Sequence, residues 1–183
     1  IHNIENSPFR TKFEGIFGEM KGCAAIGCIN DTDPQPLLIR SNFGTYAICV
    51  IGIINNSESL IKQYLSFSGG HFSAMTGGKI NATELVAALI NQKSNFTDGI
   101  KFAQDAVDGT VSILILTEYG SLIAARDKVG RLPVAVGKSD DGHCVSFESF
   151  AYKKLGYSDF RELGPGEIAE ITADSVTVLK KPG

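Results

Sequence analysis

Apolar positions along the chain fall into two kinds of run, and the runs come in blocks. Residues 46–54, YAICVIGII, carry no charged or amide side chain, the pattern of a strand buried on both faces. Just before it, LLIRS (37–41) and the turn NFGT read as its hairpin partner. Residues 23–29, CAAIGCI, form a further short buried strand candidate, closed by the polar loop NDTDPQP. Helical spacing then takes over. In NNSESLIKQYLSFSG, Leu60, Ile61, Tyr64 and Leu65 share one face, Ser57 serves as N-cap and Gly69 ends the helix. NATELVAALINQK repeats the pattern with Leu85, Val86, Leu89 and Ile90, and FTDGIKFAQDAV makes a third helix stopped before Gly109.

Strands return in the second half. TVSILILT, SLIAARD, PVAVGK and HCVSFES are separated by EYG, KVGRL and SDDG, and TVSILILT and SLIAARD are expected to be buried on both faces. A short helix near FAYKKLG and a final pair, EIAEITA and SVTVLKK, follow. Strands, a helical block and strands again exclude a regular βαβ alternation. The order predicts an α+β fold of two stacked, mainly antiparallel sheets with helices on their outer faces. At 183 residues the chain fits one domain, read as spanning 1–183.

Composition narrows the function classes. Hydrophobic residues make up 43% and charged ones 20%, as in an ordinary folded domain. A net charge of −3 provides no basic surface for nucleic acid or anionic lipid. No apolar run approaches the roughly 20 residues of a membrane-spanning helix. The start, IHNIENSPFR, lacks the pattern of a secretory leader, so a cytoplasmic location is expected. Cys23, Cys28, Cys49 and Cys144 form no Cys-x-x-Cys pair and the histidines are scattered, so no metal and no cofactor is expected. Cys23, Cys28 and Cys49 stand in apolar surroundings and read as small buried hydrophobes. Cys28 and Cys49 are therefore read as structural, not as nucleophiles.

The charged stretch RDKVGRLPVAVGK (126–138) sits between greasy runs and raises a sharper question. It belongs to a longer set: DGTVSILILTEYGSLIAARDKVGRLPVAVGK, then CVSFESFAYKKLGY, then RELGPGEIAEI. These stretches resemble the glutamine amidotransferase domain of the class II, N-terminal-nucleophile type, in the branch of the amidophosphoribosyltransferases. Arg126, Asp127, Gly130, Pro133, Glu148, Pro165, Gly166 and Glu167 fall on the family pattern in order. The resemblance spans residues 100–171 and extends over 26–90. It implies a four-layer αββα sandwich. In it the charged turn is structural, with Asp127 accepting backbone N–H bonds, Gly130 at positive φ, and Arg126 and Arg131 pairing with carboxylates such as Glu148.

The family hydrolyses glutamine with an N-terminal cysteine, but the first residue here is Ile1. The chain is accordingly expected to be a fragment without its upstream residues, and a phosphoribosyltransferase domain is expected to follow in a longer parent. At the arginine that clamps the glutamine carboxylate stands Asn30; at the oxyanion asparagine stands Ile51; at the ammonium-binding aspartate stands Ala82. Gly52, the backbone oxyanion position, is the one substrate-binding residue retained, and Glu84 is kept in the helix-opening block; no catalytic residue is assigned.

The expected function is an amidotransferase-like domain of purine-biosynthetic ancestry that has lost glutaminase activity. Two alternatives stay open. One is an active glutaminase domain whose cysteine lies outside the chain; the other is a small-ligand- or protein-binding regulatory module. Expected partners are glutamine or a small amide, if a pocket remains, and a phosphoribosyltransferase domain or subunit. Nucleic acid and membrane are not expected, and oligomerisation is open.

Overall fold

The computed structural model describes residues 8–30 and 32–183. In chain order these form α1 (Phe9–Phe13), β1 (Leu37–Ser41), β2 (Gly44–Ile54), α2 (Ser57–Ser68), β3 (Met75–Thr76), β4 (Lys79–Ile80), α3 (Ala82–Ile90) and α4 (Phe96–Ala106). The second half holds β5 (Gly109–Thr117), β6 (Leu122–Ala125), β7 (Ala135–Ser139), β8 (Gly142–Ser146), α5 (Ser149–Lys153), β9 (Ser158–Glu162), β10 (Ile168–Ile171) and β11 (Val176–Lys180).

Side-chain alternation builds the layers. A six-stranded sheet runs β1-β2-β5-β6-β10-β11, antiparallel throughout. One of its faces carries Tyr46, Ile48 and Val50 of β2, Val111, Ile113 and Ile115 of β5, Ile123 and Ala125 of β6, and Ile168 of β10. Against it α2, α3 and α4 bring Leu60, Leu85, Val86, Leu89, Ile90, Ile100 and Ala103. The other face carries Leu114, Leu122, Ala124, Ala169 and Ile171, and meets Val134, Val136, Val145 and Leu163 of the second layer. That layer is the three-stranded sheet β8-β7-β9. On its outside lies α5, whose Tyr152 packs so close to Gly137 that a Cβ there would stand 2.8 Å from the ring. The molecule is thus an α+β sandwich in the order helix, sheet, sheet, helix.

Several expectations need correction. Residues 23–29 form no strand; Cys23 and Ile29 are exposed, the latter by 82%. Alanine and glycine favour strands poorly, and this run pairs with no described strand edge. The α2 N-cap is Asn56, one residue before Ser57, and its side chain serves Ala106 and Asp108 instead of the helix. The strand β2 is not buried on both faces. Three strands of the second sheet cannot cover six, so Leu38 and Ile53 stand 77% and 62% exposed. Arg126 pairs with Glu162, while Glu148 is exposed at the start of α5; no ion pair of Arg131 occurs among the described residues.

The charged turn holds the layers together. The Asp127 carboxylate, 1% exposed, accepts the N–H groups of Val111 (3.3 Å), Val129 (3.1 Å) and Arg131 (3.4 Å). Its carbonyl accepts from Gly130 and Gly166, and its N–H donates to Ser112 Oγ. Gly130 has φ 69°, a left-handed conformation that glycine adopts freely. Arg126 donates to the carbonyls of Gly130, Leu132 and Leu163. Hydrogen bonds to a buried charge contribute more than neutral ones, so Asp127→Asn is expected to fold but to lose about 1–3 kcal/mol in urea denaturation. Unchanged stability would deny the turn this role.

Candidate functional site

Three of the positions singled out in the sequence converge on one loop. Residues 32–36 run between the C-terminal half of β2 and the N-terminus of α3. Gln35 fixes the loop to β2: its amide donates to Val50 C=O (3.1 Å) and accepts Val50 N–H (2.8 Å). Its oxygen also takes the Thr83 hydroxyl of α3 at 3.1 Å. The Gln35–Pro36 peptide is cis. Asn81 caps α3 by accepting from Thr83 N and Glu84 N, and its own amide donates to Pro34 C=O.

Of the replaced positions, Asn30 has a structural duty in its side chain and Ala82 in its backbone. Asn30 Oδ1 accepts from Thr32 N (2.7 Å), Thr32 Oγ1 (2.8 Å) and Asp33 N (3.1 Å), closing an Asx turn. Ile51 is half-buried on the face of β2 opposite the helices. Ala82 opens α3, and its N–H donates to Asp33 Oδ2 at 3.3 Å. Asp33 was not anticipated from the sequence. It brings a carboxylate to the helix start where Ala82 has none, and favourably meets the positive end of the helix. With donor and acceptor 49 positions apart in the chain, no local pattern could have revealed it. Glu84 is occupied as well: its carboxylate accepts from Ser73 N and Ala74 N (2.7 Å to the latter), pinning the segment before β3.

Gly52 sits where β2 leaves its cover. It pairs with Val111 of β5, and an added Cβ would lie 1.9 Å from Thr110 O. Only glycine fits that close approach. Antiparallel alternation turns Gly52 N–H the same way as Val50 N–H, away from β5 and toward the edge where the loop ends. A backbone donor is therefore presented at an exposed edge. Val111, its partner on β5, is the residue whose N–H Asp127 holds, so frame and site share one strand position.

The thiols are not activated. Cys49 is buried and Cys28 half-buried. Burial raises the Cys28 thiol, and burial, reinforced by Cys28, pushes Cys49 up to about 12. A thiol held protonated is a poor nucleophile. Among the described residues no group of three or more His, Cys, Asp or Glu is placed to hold a metal ion. No described helix is long and apolar enough to cross a membrane. Ile1 lies outside the described residues.

Comparison with known proteins places this arrangement. A family model described as "Glutamine amidotransferase domain" matches residues 23–153. The chain belongs to the glutamine amidotransferase domain family. Amidophosphoribosyltransferase of Bacillus subtilis is 32% identical over 173 residues, covering 88% of this chain and 35% of that protein. The same enzyme of Methanocaldococcus jannaschii is 33% identical over 137 residues, 75% of this chain and 28% of that one. The solved structure of glutamine phosphoribosylpyrophosphate amidotransferase from B. subtilis, complexed with ADP and GMP, superimposes with a TM-score of 0.71 at 29% identity. That match covers 82% of this chain and 32% of that structure. The chain therefore spans about a third of the length of these relatives. The domain is related to amidophosphoribosyltransferase, with the N-terminal-nucleophile fold.

Two outcomes follow for this amidotransferase domain. Gly52→Ala drives a methyl into the Thr110 carbonyl and is expected to cost about 3 kcal/mol, read as a lowered Tm. Glu84→Gln keeps the shape but weakens the bonds to residues 73 and 74. It is expected to cost about 1 kcal/mol in urea unfolding, and no loss would contradict the pinning role.

Proposed function

We propose that this amidotransferase domain no longer hydrolyses glutamine and acts as a structural or binding domain beside a phosphoribosyltransferase. The observation that carries the reading is the state of the loop between β2 and α3. Asn30 spends its carbonyl oxygen on its own turn, Ile51 offers no donor, and the carboxylate at α3 is Asp33, already bonded to Ala82 N–H. A charged fork for a substrate carboxylate is missing at Asn30, and asparagine cannot replace one. Losing one oxyanion donor alone costs about 10²–10³ in rate. The thiols near the loop are held protonated, so covalent catalysis has no starting atom there.

The transferase partner is inferred from the relatives' name and from the two-thirds of their length that this chain does not span. Purine biosynthesis and a cytoplasmic location come to the chain on the same basis. We read residues 1–183 as one amidotransferase-type domain of a longer parent.

A second reading has one observation in its favour: Gly52 N–H is still presented at the open edge. In that reading the domain binds a small amide-like ligand, or is an active glutaminase whose cysteine lies elsewhere.

The test is ammonia release from glutamine, with covalent labelling by a glutamine-mimicking electrophile, on the natural full-length protein. No ammonia above the spontaneous rate and no labelling are expected. Turnover with labelling at a processed N-terminal cysteine would overturn the proposal.

A further inference from the structure

One cavity has neither Gly52 nor the loop at 32–36 in its lining. It measures about 390 Å³ and opens between β8 and the irregular residues 23–27, with Leu114, Leu122 and Ile171 of the large sheet behind it. β8 is the end strand of the small sheet, with β7 on its other side. The register tells which of its peptide groups are free. Val134 C=O accepts from Leu163 N–H, so even-numbered positions along β7 face β9 and odd-numbered ones face β8. Gly137 and Cys144 therefore exchange hydrogen bonds across the hairpin, and His143 and Val145 turn their N–H and C=O outward. Among the described residues these outward groups have no backbone partner. On the opposite wall, residues 21–29 make no backbone hydrogen bond among the described residues either, although 24–28 alternate half-buried and exposed as a strand does. Asp141 also lines the cavity, exposed and without an ion pair among the described residues.

We propose that this cavity binds a separate peptide in extended conformation, laid as an added strand antiparallel to β8. Half-buried N–H and C=O groups are stabilised by a ligand that offers both in the same rhythm, as an extended backbone does. A ligand that reaches His143 and Val145 together spans at least three residues. The volume falls in the range of small-ligand sites, about 300–1,000 Å³. Residues opposite one another in an antiparallel pair share a face. Val145 packs inward, beside Leu114 and Leu122, and His143 is inward too, with Nδ1–H donating to Thr172 C=O at 2.9 Å. The peptide residues paired with these two therefore turn toward the large sheet and are small and apolar. The residue between them, across from Cys144, turns outward. Antiparallel direction brings the C-terminal side of the peptide to Asp141, where a lysine complements the unpaired carboxylate. The proposal is independent of whether glutamine is turned over.

The experiment titrates the ¹⁵N-labelled full chain with acetyl-Thr-Val-Thr-Val-Lys-amide and follows amide shifts and hydrogen exchange by NMR. Saturable movement of the His143 and Val145 amides is expected, with their exchange slowed at least about tenfold. The Cys144 amide, already bonded to Gly137, is expected to keep its rate. The same peptide N-methylated at both valines lacks the donors and blocks the edge, and is expected not to bind. Val145→Pro removes one outward N–H without touching the β7–β8 ladder, and is expected to weaken binding at least about tenfold. Asp141→Asn is expected to weaken it about threefold. No saturable movement at the two amides, or equal binding of the N-methylated peptide, would overturn the proposal. So would movement at the open edges of β1, β9 or β11 instead.

Discussion

The two layers turn on a buried carboxylate that no described cation pairs with. Asp127 is 1% exposed, and burying a bare carboxylate costs several kcal/mol. Three backbone N–H groups offset that cost, and they come from β5 and from the turn after β6. Through its own peptide the same residue takes Gly166 N–H, at the turn that leads into β10. That second turn carries a further buried carboxylate, Glu167, which accepts Gly164 N–H at 2.7 Å and pairs with Arg161 of β9. Arg126 completes the lacing by reaching the Leu163 carbonyl and Glu162 of the smaller sheet. Each turn is shaped by the other, so neither can be altered alone without leaving a buried polar group unpaired.

The frame and the loop near Gly52 respond to different pressures. In the frame, Arg126, Asp127 and Glu167 each hold backbone groups that would otherwise be buried without partners, and a change is felt as lost stability. At the loop, Asn30 holds only its own neighbours, Thr32 and Asp33, and the Ile51 and Ala82 side chains have no polar atom to hold anything. A charged side chain there is useful only to a ligand. Val111 joins the two regions, with Asp127 on one side and Gly52 across the ladder on the other. A domain can keep all of its frame while the chemistry at that edge is dismantled, and that is the combination proposed here.

Much of the fold was legible because its signals are local. The helices announce themselves by apolar residues at helical spacing, as with Leu85, Val86, Leu89 and Ile90, and Gly69 ends α2 with a φ of 58°. The RDKVGRLP turn was readable because Asp and Gly have fixed conformational uses. The strand β9 was missed because SDFRE has no apolar alternation; it borders the small sheet with mostly exposed residues. Residues 23–29 were misread because only Ile26 and Ile29 in the run favour a strand, and it finds no described strand edge to pair with. Arg126 finds Glu162 and not Glu148, a choice set by how β9 lies against β7. Asp33 and Glu84 show the limit most clearly, since their partners are brought to them only by the folded chain.

The most direct measurement is a ¹⁵N-edited NMR titration of the domain with glutamine, following the amides of Gly52, Asn30 and Ala82. With the frame intact and the edge stripped of its charged contacts, these amides are expected to show no saturable shift up to millimolar glutamine. Saturable, coincident movement of the Gly52 and Ala82 amides would show a working glutamine site and contradict the dismantled edge.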